Sequence, residues 1–414
     1  MMMDHLHKSL PPWLEASGAV GARVLDGDLL FPVAVLREAA VSSNRAWMKA
    51  FLAHTGVSIA PHGKTSMSPE LFAMQMTDGA WGMTAATAHH VRLYHRLGIR
   101  RVIHANQLVG AADIRLMLDL LADDPEFELF SLVDSIAGAA RLAEAHRASG
   151  LVRPLNLLLE VGAPGGRTGV RSRAEGMAVA RAVAAAPGLA LCGVEVFEGV
   201  FQGQPGGAQK VETMLDDVTA LAAMADAEGL LAGEEIILTG GGSAFFDRCA
   251  RRLALPGLSR PVRTVIRSGC YISHDDGLYR QLFADLLARD PACAAWGEGL
   301  QPALEIWAPV QSVPEPGRII AAFGKRDAGH DAGLPVARFH YRAGVHPAPV
   351  PIEGALVTAG LFDQHAILEG ALEVEVGDIL GFGVSHPCTT FDRWRAIVLV
   401  DEARQVTGHV TTLF

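Results

Sequence analysis

The sequence predicts an α/β protein: a (β/α)8 TIM-type barrel followed by a second, C-terminal all-β domain. Three observations carry this. From about residue 30 to about residue 270, short apolar or β-branched runs alternate with alanine-rich helical stretches. After its first run this segment holds eight more, the number that closes a barrel, and strict alternation calls for parallel strands with helical crossovers. After about residue 275 the strand-like runs continue, joined by Pro- and Gly-rich turns instead of helices.

Taken in order, Phe31–Leu36 reads as a strand entering a helix over Arg37–His54. The eight barrel strands are expected at Val57–Ala60, Trp81–Thr84, Arg101–His104, Glu128–Val133, Leu155–Val161, Leu189–Val196, Glu235–Thr239 and Arg263–Arg267. Helices are expected between them at Ser68–Thr77, Ala88–Leu97, Ala111–Ala122, Ser135–Ala148, Ser172–Ala185, Val211–Glu228 and Ser243–Arg252, with Gly or Pro punctuating many of the joints. The β domain is expected to use Leu304–Pro309, Arg318–Phe323, Gly354–Ala359, Leu372–Val376, Ile379–Gly383, Arg395–Val400 and Gln405–Thr411. The expected division is 30–272 for the barrel and 1–29 with 273–414 for the β domain. Phe31–Leu36 and the N-terminal arm are candidates to join the latter.

Bulk properties exclude several classes. Half of the 414 residues are hydrophobic and 19% are charged, which fits a folded globular chain. Net charge is −10 with no Lys/Arg-rich stripe, so nucleic acid is not expected as a partner. No apolar run reaches the roughly 18 to 20 residues that span a bilayer, and Met1–Glu15 lacks the apolar core of an export signal. The five cysteines, Cys192, Cys249, Cys270, Cys293 and Cys388, are scattered and odd in number, unlike a disulfide framework. A reducing cytoplasm is the expected location.

The chemistry is expected at the C-terminal ends of the barrel strands. Lys64, in Ala60-Pro61-His62-Gly63-Lys64-Thr65, follows the first of them and is placed to form a Schiff base with an aldehyde cofactor; a solvated loop lysine is the alternative. Gly63-Lys64-Thr65 is not a phosphate-loop tail, because Ser58 stands where that motif needs glycine. The loop Glu160–Gly169 offers Arg167 as a fixed cation. Thr239-Gly240-Gly241-Gly242-Ser243 offers backbone amides as a phosphate cup, with Ser243 as helix N-cap or phosphate donor. Arg267–Tyr271 follows the last strand and can complete that cup. Any one of these loops alone also reads as an ordinary glycine-rich turn; together on one rim they suggest a pyridoxal-phosphate site. In Ser385-His386-Pro387-Cys388-Thr389-Thr390, read as extended, His386 and Cys388 point the same way and can share a metal; a chance pairing is the alternative, since His-x-Cys supplies two ligands where four are usual. Sulfur with imidazole favours Zn2+, with Mn2+ or Mg2+ ranked behind. Asp363-Gln364-His365 and the cluster Lys325–Asp331 are either active-site loops or solvated turns. His62 reads as a loop or packing histidine, and Met74, Met76 and Met83 as core.

These motifs, in this order and over nearly the whole chain, resemble the D-serine dehydratase and D-threonine aldolase family. Its members are fold-type III pyridoxal-phosphate enzymes built like alanine racemase. The resemblance implies that Lys64 carries the cofactor and that Arg167 lies near its phenolic oxygen. It also implies that Gly240, Gly241, Gly242 and Tyr271 hold the phosphate, with Thr239 and Ser243 beside them, and that His386 and Cys388 bind the metal. His365 and Gln107 are the substrate-side candidates. A homodimer with shared active sites is implied by analogy. Two departures stand out: Glu195-Val196-Phe197-Glu198-Gly199-Val200 has phenylalanine where the family carries tyrosine, and Asp363-Gln364-His365 replaces a glutamate-led triplet.

The expected activity is dehydration and deamination of a D-β-hydroxy amino acid such as D-serine or D-threonine, giving a 2-oxo acid and ammonia. Lys64 takes the α-proton and the metal acts as Lewis acid on the β-hydroxyl. Retro-aldol cleavage to glycine and an aldehyde is the alternative; family aldolases tend to carry aspartate where Cys388 stands, which favours elimination. A metal-free racemase or a non-enzymatic pyridoxal-phosphate protein is the remaining alternative.

Overall fold

The structure, a computed structural model, describes residues 8–255 and 257–414. In chain order the first elements are β1 (Val33–Arg37), α1 (Glu38–Thr55), β2 (Ser58–Ile59), α2 (Pro69–Thr77), β3 (Met83–Ala85), α3 (Ala88–Arg96), β4 (Arg101–Gln107), α4 (Ala111–Asp123) and β5 (Glu128–Val133). There follow α5 (Ile136–Ser149), β6 (Leu155–Val161), α6 (Arg173–Ala185), β7 (Leu189–Val196), α7 (Gly207–Ala227), β8 (Ile236–Gly240), α8 (Phe246–Arg252), β9 (Val262–Ile266) and α9 (Leu278–Arg289). The last part holds β10 (Leu304–Glu315), β11 (Arg318–Ala321), β12 (Val336–Tyr341), β13 (Val350–Pro351), β14 (Leu356–Leu361), β15 (Ala366–Gly370), β16 (Ile379–Gly383), α10 (Cys388–Phe391), β17 (Ala396–Val400) and β18 (Val406–Thr411).

The chain divides into two compact units. One comprises Phe51–Lys64 and Gln75–Gly269; the other comprises Thr65–Met74, Cys270–Phe414 and the described residues up to Ala50. The first unit is built on an eight-stranded sheet in the order β2-β9-β8-β7-β6-β5-β4-β3, every neighbouring pair parallel. Its two ends meet, since Trp81 N donates to Ile59 O (2.8 Å), Thr84 N to Pro61 O (2.9 Å), and His62 bridges Thr84 in parallel. This is the expected barrel. Ile103, Phe130, Leu132, Leu158, Ile237 and Val265 fill it, and every residue of β7 is buried because both of its faces are covered. The helices start where their capping residues dictate: Thr87, Ser135 and Ser172 each accept the backbone N–H three residues on.

The second unit is a mixed sheet, β13-β12-β16-β10-β1-β17-β18, with β11 joining β10 to β15 and β15 pairing β14. All its pairs are antiparallel except β1 with β17, where Val35 lies opposite Val398. Strand β1 lies in this sheet, one of the placements open from the sequence, and the unit boundaries near residues 50 and 270 both fall after it. The core here gathers Val24, Leu29, Val33, Val35, Trp307, Val398 and Val406. The expected absence of helices after residue 275 is corrected by α9, twelve residues long and opened by two Asp275-capped amides, Gly277 N and Tyr279 N, each at 3.0 Å. Strands β12, β13 and β15 were not expected, and Leu372–Val376, expected as a strand, is a loop and turn leading to Asp378. Among the described residues no helix is long and apolar enough to cross a membrane.

Candidate active site

The line of β2 runs past its ladder: Ala60 N donates to Ile266 O (2.9 Å) and His62 N to Arg267 O (3.1 Å). A 3-10 turn, Gly63–Thr65, then places Lys64 at the C-terminal end of the strand with its side chain exposed. Gly269 lies so close to this backbone that a Cβ there would stand 2.2 Å from His62 O. The buried Nδ1 of His62 has no hydrogen-bond partner. Burial, then the nearby Lys64, Arg267 and His90, lowers the pKa of His62 well below the usual imidazole range, so it adds no positive charge beside Lys64.

Carboxylates occupy the neighbouring strand ends. Glu160, at the end of β6, accepts from Gln107 Nε2 at the end of β4 and from Thr168 Oγ1 (2.7 Å). The loop after β6 is tied by Arg171, which donates to the carbonyls of Arg167, Thr168 and Gly169 at 2.5, 2.8 and 2.5 Å. Arg167 itself lies with its guanidinium 4.2 Å from the centroid of the Phe197 ring. The phenylalanine that departs from the family pattern thus has a packing role, a cation–π platform for Arg167.

The glycine cup after β8 already holds an anion. Gly241 N and Gly242 N donate to the two carboxylate oxygens of Glu198, at 3.1 and 2.9 Å, and Glu198 is fully buried. Gly241 can turn this way because its φ is +80°. One turn back in sequence, Glu195 is ion-paired with Arg267, both buried, and Arg267 also donates to Val196 O at 2.9 Å. Burial pushes the Glu195 carboxyl up to about 7, the Arg267 cation opposing the shift and Glu160 and Glu198 adding to it. Glu195 Oε2 and Arg267 Nη1 are buried without a hydrogen-bond partner. Two expectations change here. Thr239 spends its hydroxyl on Val265 O (2.8 Å) inside the barrel. Ser243 is not an N-cap, since α8 starts at Phe246, three residues further on, with Phe245 at the cap position.

These residues fit pyridoxal phosphate. The cup's backbone N–H groups donate to both oxygens of one carboxyl group, an unmatched arginine N–H lies buried in the same unit, and Lys64 presents an amine on the same rim.

The other unit carries the second group of predicted residues. Pro387 takes helical φ/ψ of −67° and −38°, so Cys388 opens α10 and is not part of an extended segment as expected; proline's fixed φ suits a helix start. Cys388 Sγ lies 3.5 Å from Cys270 Sγ, and the Thr65 hydroxyl lies 3.5 Å from Cys270 Sγ and 3.6 Å from Cys388 Sγ. The Tyr279 phenol is hydrogen-bonded to Cys270, and the two thiols with burial raise its pKa above the usual phenol range. His386 Nδ1 is hydrogen-bonded to Asp331 Oδ2 (2.7 Å), whose other oxygen accepts from Thr389 Oγ1 (2.6 Å). That contact fixes the ring and leaves Nε2 as the ligating nitrogen, the usual carboxylate–histidine arrangement behind a metal. Imidazole and thiol are the donor set that suits zinc, so these residues fit that ion. Among the described residues, no group of three or more His, Cys, Asp or Glu side chains is gathered for a metal. Tyr271 is buried in a 3-10 turn, Cys270–Ile272. His365 is exposed at the tip of the β14–β15 hairpin, where its carbonyl accepts from Phe362 N at 2.8 Å.

Sequence reasoning missed Glu195 and Glu198; Arg267, Cys270 and Asp331 lay in loops it flagged, Arg267–Tyr271 and Lys325–Asp331, without being singled out. The signal for the glutamates was present, because Glu160 and Glu195 stand at matching positions of adjacent strands, paired in register.

Comparison with known proteins gives three findings. Residues 303–400 match the family model described as a putative serine dehydratase domain. A D-threonine aldolase from Arthrobacter sp is 25% identical over 308 residues, 73% of this chain and 74% of that protein. Two solved structures share the fold: D-threonine aldolase from Filomicrobium marinum (TM-score 0.74, 21% identity, 95% of this chain and 96% of that one) and D-threo-3-hydroxyaspartate dehydratase from Delftia sp. HT23 (TM-score 0.70, 20% identity, 92% and 97%). A lysine-bearing parallel barrel, an anion cup and a late histidine–cysteine pair accompany these likenesses: the chain shares the fold of these solved structures and resembles the D-serine dehydratase and D-threonine aldolase family.

Proposed function

We propose that this lyase is a pyridoxal-phosphate- and zinc-dependent D-amino-acid dehydratase that removes water from a D-β-hydroxy amino acid such as D-serine or D-threonine. Lys64 and the Gly241–Gly242 amides would hold the cofactor, and His386 and Cys388 the zinc. Once bound, pyridoxal phosphate supplies an electron sink for charge left at the α-carbon, and zinc supplies Lewis acidity toward the β-hydroxyl. The chain's residues do the rest. Lys64 Nζ takes the α-proton; neutral His62 avoids a second positive charge beside that amine. Buried Arg267 offsets the Glu160, Glu195 and Glu198 carboxylates, which would otherwise repel an anionic ligand. Asp331 holds the His386 ring in the ligating tautomer. Loss of the α-hydrogen and the β-hydroxyl as water leaves an enamine that hydrolyses to a 2-oxo acid and ammonia.

One observation carries the choice of elimination: the sulfur donor Cys388 follows an Asp331-anchored histidine, at a position where the aldolases of the resembled family tend to carry aspartate. A second reading, retro-aldol cleavage, is favoured by the aldolase relative that aligns with 73% of the chain. The products from D-threonine separate them: 2-oxobutyrate and ammonia for the first, glycine and acetaldehyde for the second. A homodimer with shared sites and a cytoplasmic location complete the proposal, and light scattering tests the former.

A further inference from the structure

We infer that Cys270 and Cys388 form an oxidative modification site: a hydroperoxide oxidises the Cys388 thiol, and Cys270 then closes a disulfide with it. The two sulfurs are in contact, 3.5 Å apart, and a bond requires them to close by about 1.5 Å. They come from separate elements of one unit, the 3-10 turn Cys270–Ile272 and the start of α10, 118 residues apart in sequence. Exposure selects Cys388 as the first to react. It is half-buried, whereas Cys192, Cys249, Cys270 and Cys293 are buried. Burial also pushes the Cys192 thiol up to about 12 and the Cys249 thiol well above its usual range, so neither competes near neutral pH.

One hydrogen peroxide balances the chemistry. The Cys388 sulfur attacks a peroxide oxygen, the O–O bond breaks, and the departing hydroxide leaves as water with the thiol proton; Cys388 is then a sulfenic acid. The Cys270 sulfur attacks the Cys388 sulfur, the S–OH bond breaks, and that hydroxide leaves as a second water with the Cys270 proton. Two thiols lose two hydrogens and two electrons, and the peroxide is reduced to two waters. The surroundings serve both steps. Thr65 Oγ1 lies 3.5 Å from Cys270 Sγ and 3.6 Å from Cys388 Sγ, so one hydroxyl can accept from one sulfur and donate to the other. The Tyr279 phenol, hydrogen-bonded to Cys270, holds the second sulfur in place. The pair stands on the sulfur geometry, and its consequence rests on the proposed metal: a disulfide takes Cys388 away from zinc, so oxidation would release the ion and reduction would restore its site.

The test treats the full-length chain, zinc- and cofactor-loaded and again after chelation, with a small excess of hydrogen peroxide. Thiols are then counted after denaturation, and linked peptides are mapped by mass spectrometry. The expected result is loss of two of the five thiols, a mass lower by two hydrogens, and one linked peptide pair holding Cys270 and Cys388. Dithiothreitol should reverse all three. In Cys270→Ser the reaction should stop at a Cys388 sulfenic acid that dimedone traps; in Cys388→Ser, Cys270 should keep its thiol. Cys249→Ser, a buried thiol in the other unit, should lose two thiols as the unsubstituted chain does. Far-ultraviolet circular dichroism shows that the variants fold. Five titratable thiols after treatment of both forms, or Cys388 oxidised beyond the sulfenic acid while Cys270 stays reduced, overturns the pair. A linked pair that forms while one zinc per chain stays bound upholds the pair and overturns Cys388 as the metal ligand.

Discussion

The two units differ in how their reactive groups are satisfied. In the barrel unit the anion-binding amides already hold an anion: the Glu198 carboxylate fills the Gly241–Gly242 cup, and Arg267 is paired with Glu195. In the β-rich unit Cys388 lies against the Cys270 thiol and the Thr65 hydroxyl, and Asp331 orients the His386 imidazole. On the proposed function, a cofactor phosphate entering the cup would take the place of the Glu198 carboxyl group on the Gly241 and Gly242 amides. The comparison teaches that the barrel unit's donor amides are already matched to an internal carboxyl group, whereas the His386 ring is oriented by Asp331 through Nδ1 alone.

The largest effect that can break this comparison is at Lys64. Lys64→Ala should abolish the near-visible absorbance gained on adding pyridoxal phosphate and lower turnover by roughly 10³-fold or more, as expected for loss of a Schiff-base lysine that is also the base. Retention of that absorbance by the folded variant would remove Lys64 from the cofactor. Glu198→Gln comes next. Removing the carboxylate leaves the cup amides to a weaker acceptor, so cofactor affinity should rise about tenfold, the equivalent of about 1.4 kcal/mol of a charged hydrogen bond. Titration of the apo chain measures this, and weaker binding would mean that Glu198 supports the cofactor instead of competing with it.

The smallest effect sharpens the comparison with one buried carboxyl in each unit. Burial pushes Glu195 up to about 7 from its ordinary 4.5, and Asp275 up to about 7 from 3.8. In both cases the folded state holds the proton more tightly than the unfolded state. Their stabilisation is complete below the ordinary carboxylate range and is lost as pH rises through about 7, on the order of 1 to 3 kcal/mol each. Denaturant midpoints should fall between pH 4 and 7, and Glu195→Gln and Asp275→Asn should each flatten part of that slope. A slope unchanged in both variants would contradict the assignment.

The barrel was legible because its signals are local and repeated. Each strand is an apolar run, and Ser135 and Ser172 mark helix starts as side-chain caps. The β-rich unit was less legible. Its strand β12, Val336–Tyr341, alternates imperfectly and pairs with β13 and β16, partners that no local pattern announces. At the site, Lys64, His386 and Cys388 were readable as residue types in suggestive loops. Glu198 and Cys270 were not, because their meaning comes from partners 44 and 118 positions away. Pro387 shows the same limit at short range, turning an expected extended His-x-Cys into the start of a helix.

The central claim is metal-assisted elimination, and the most direct test follows the products of D-threonine in the zinc- and cofactor-loaded chain, before and after chelation. The account predicts 2-oxobutyrate and ammonia in equal amounts, lost on chelation and restored by Zn2+. Glycine and acetaldehyde, or 2-oxobutyrate formation that survives chelation, would contradict it.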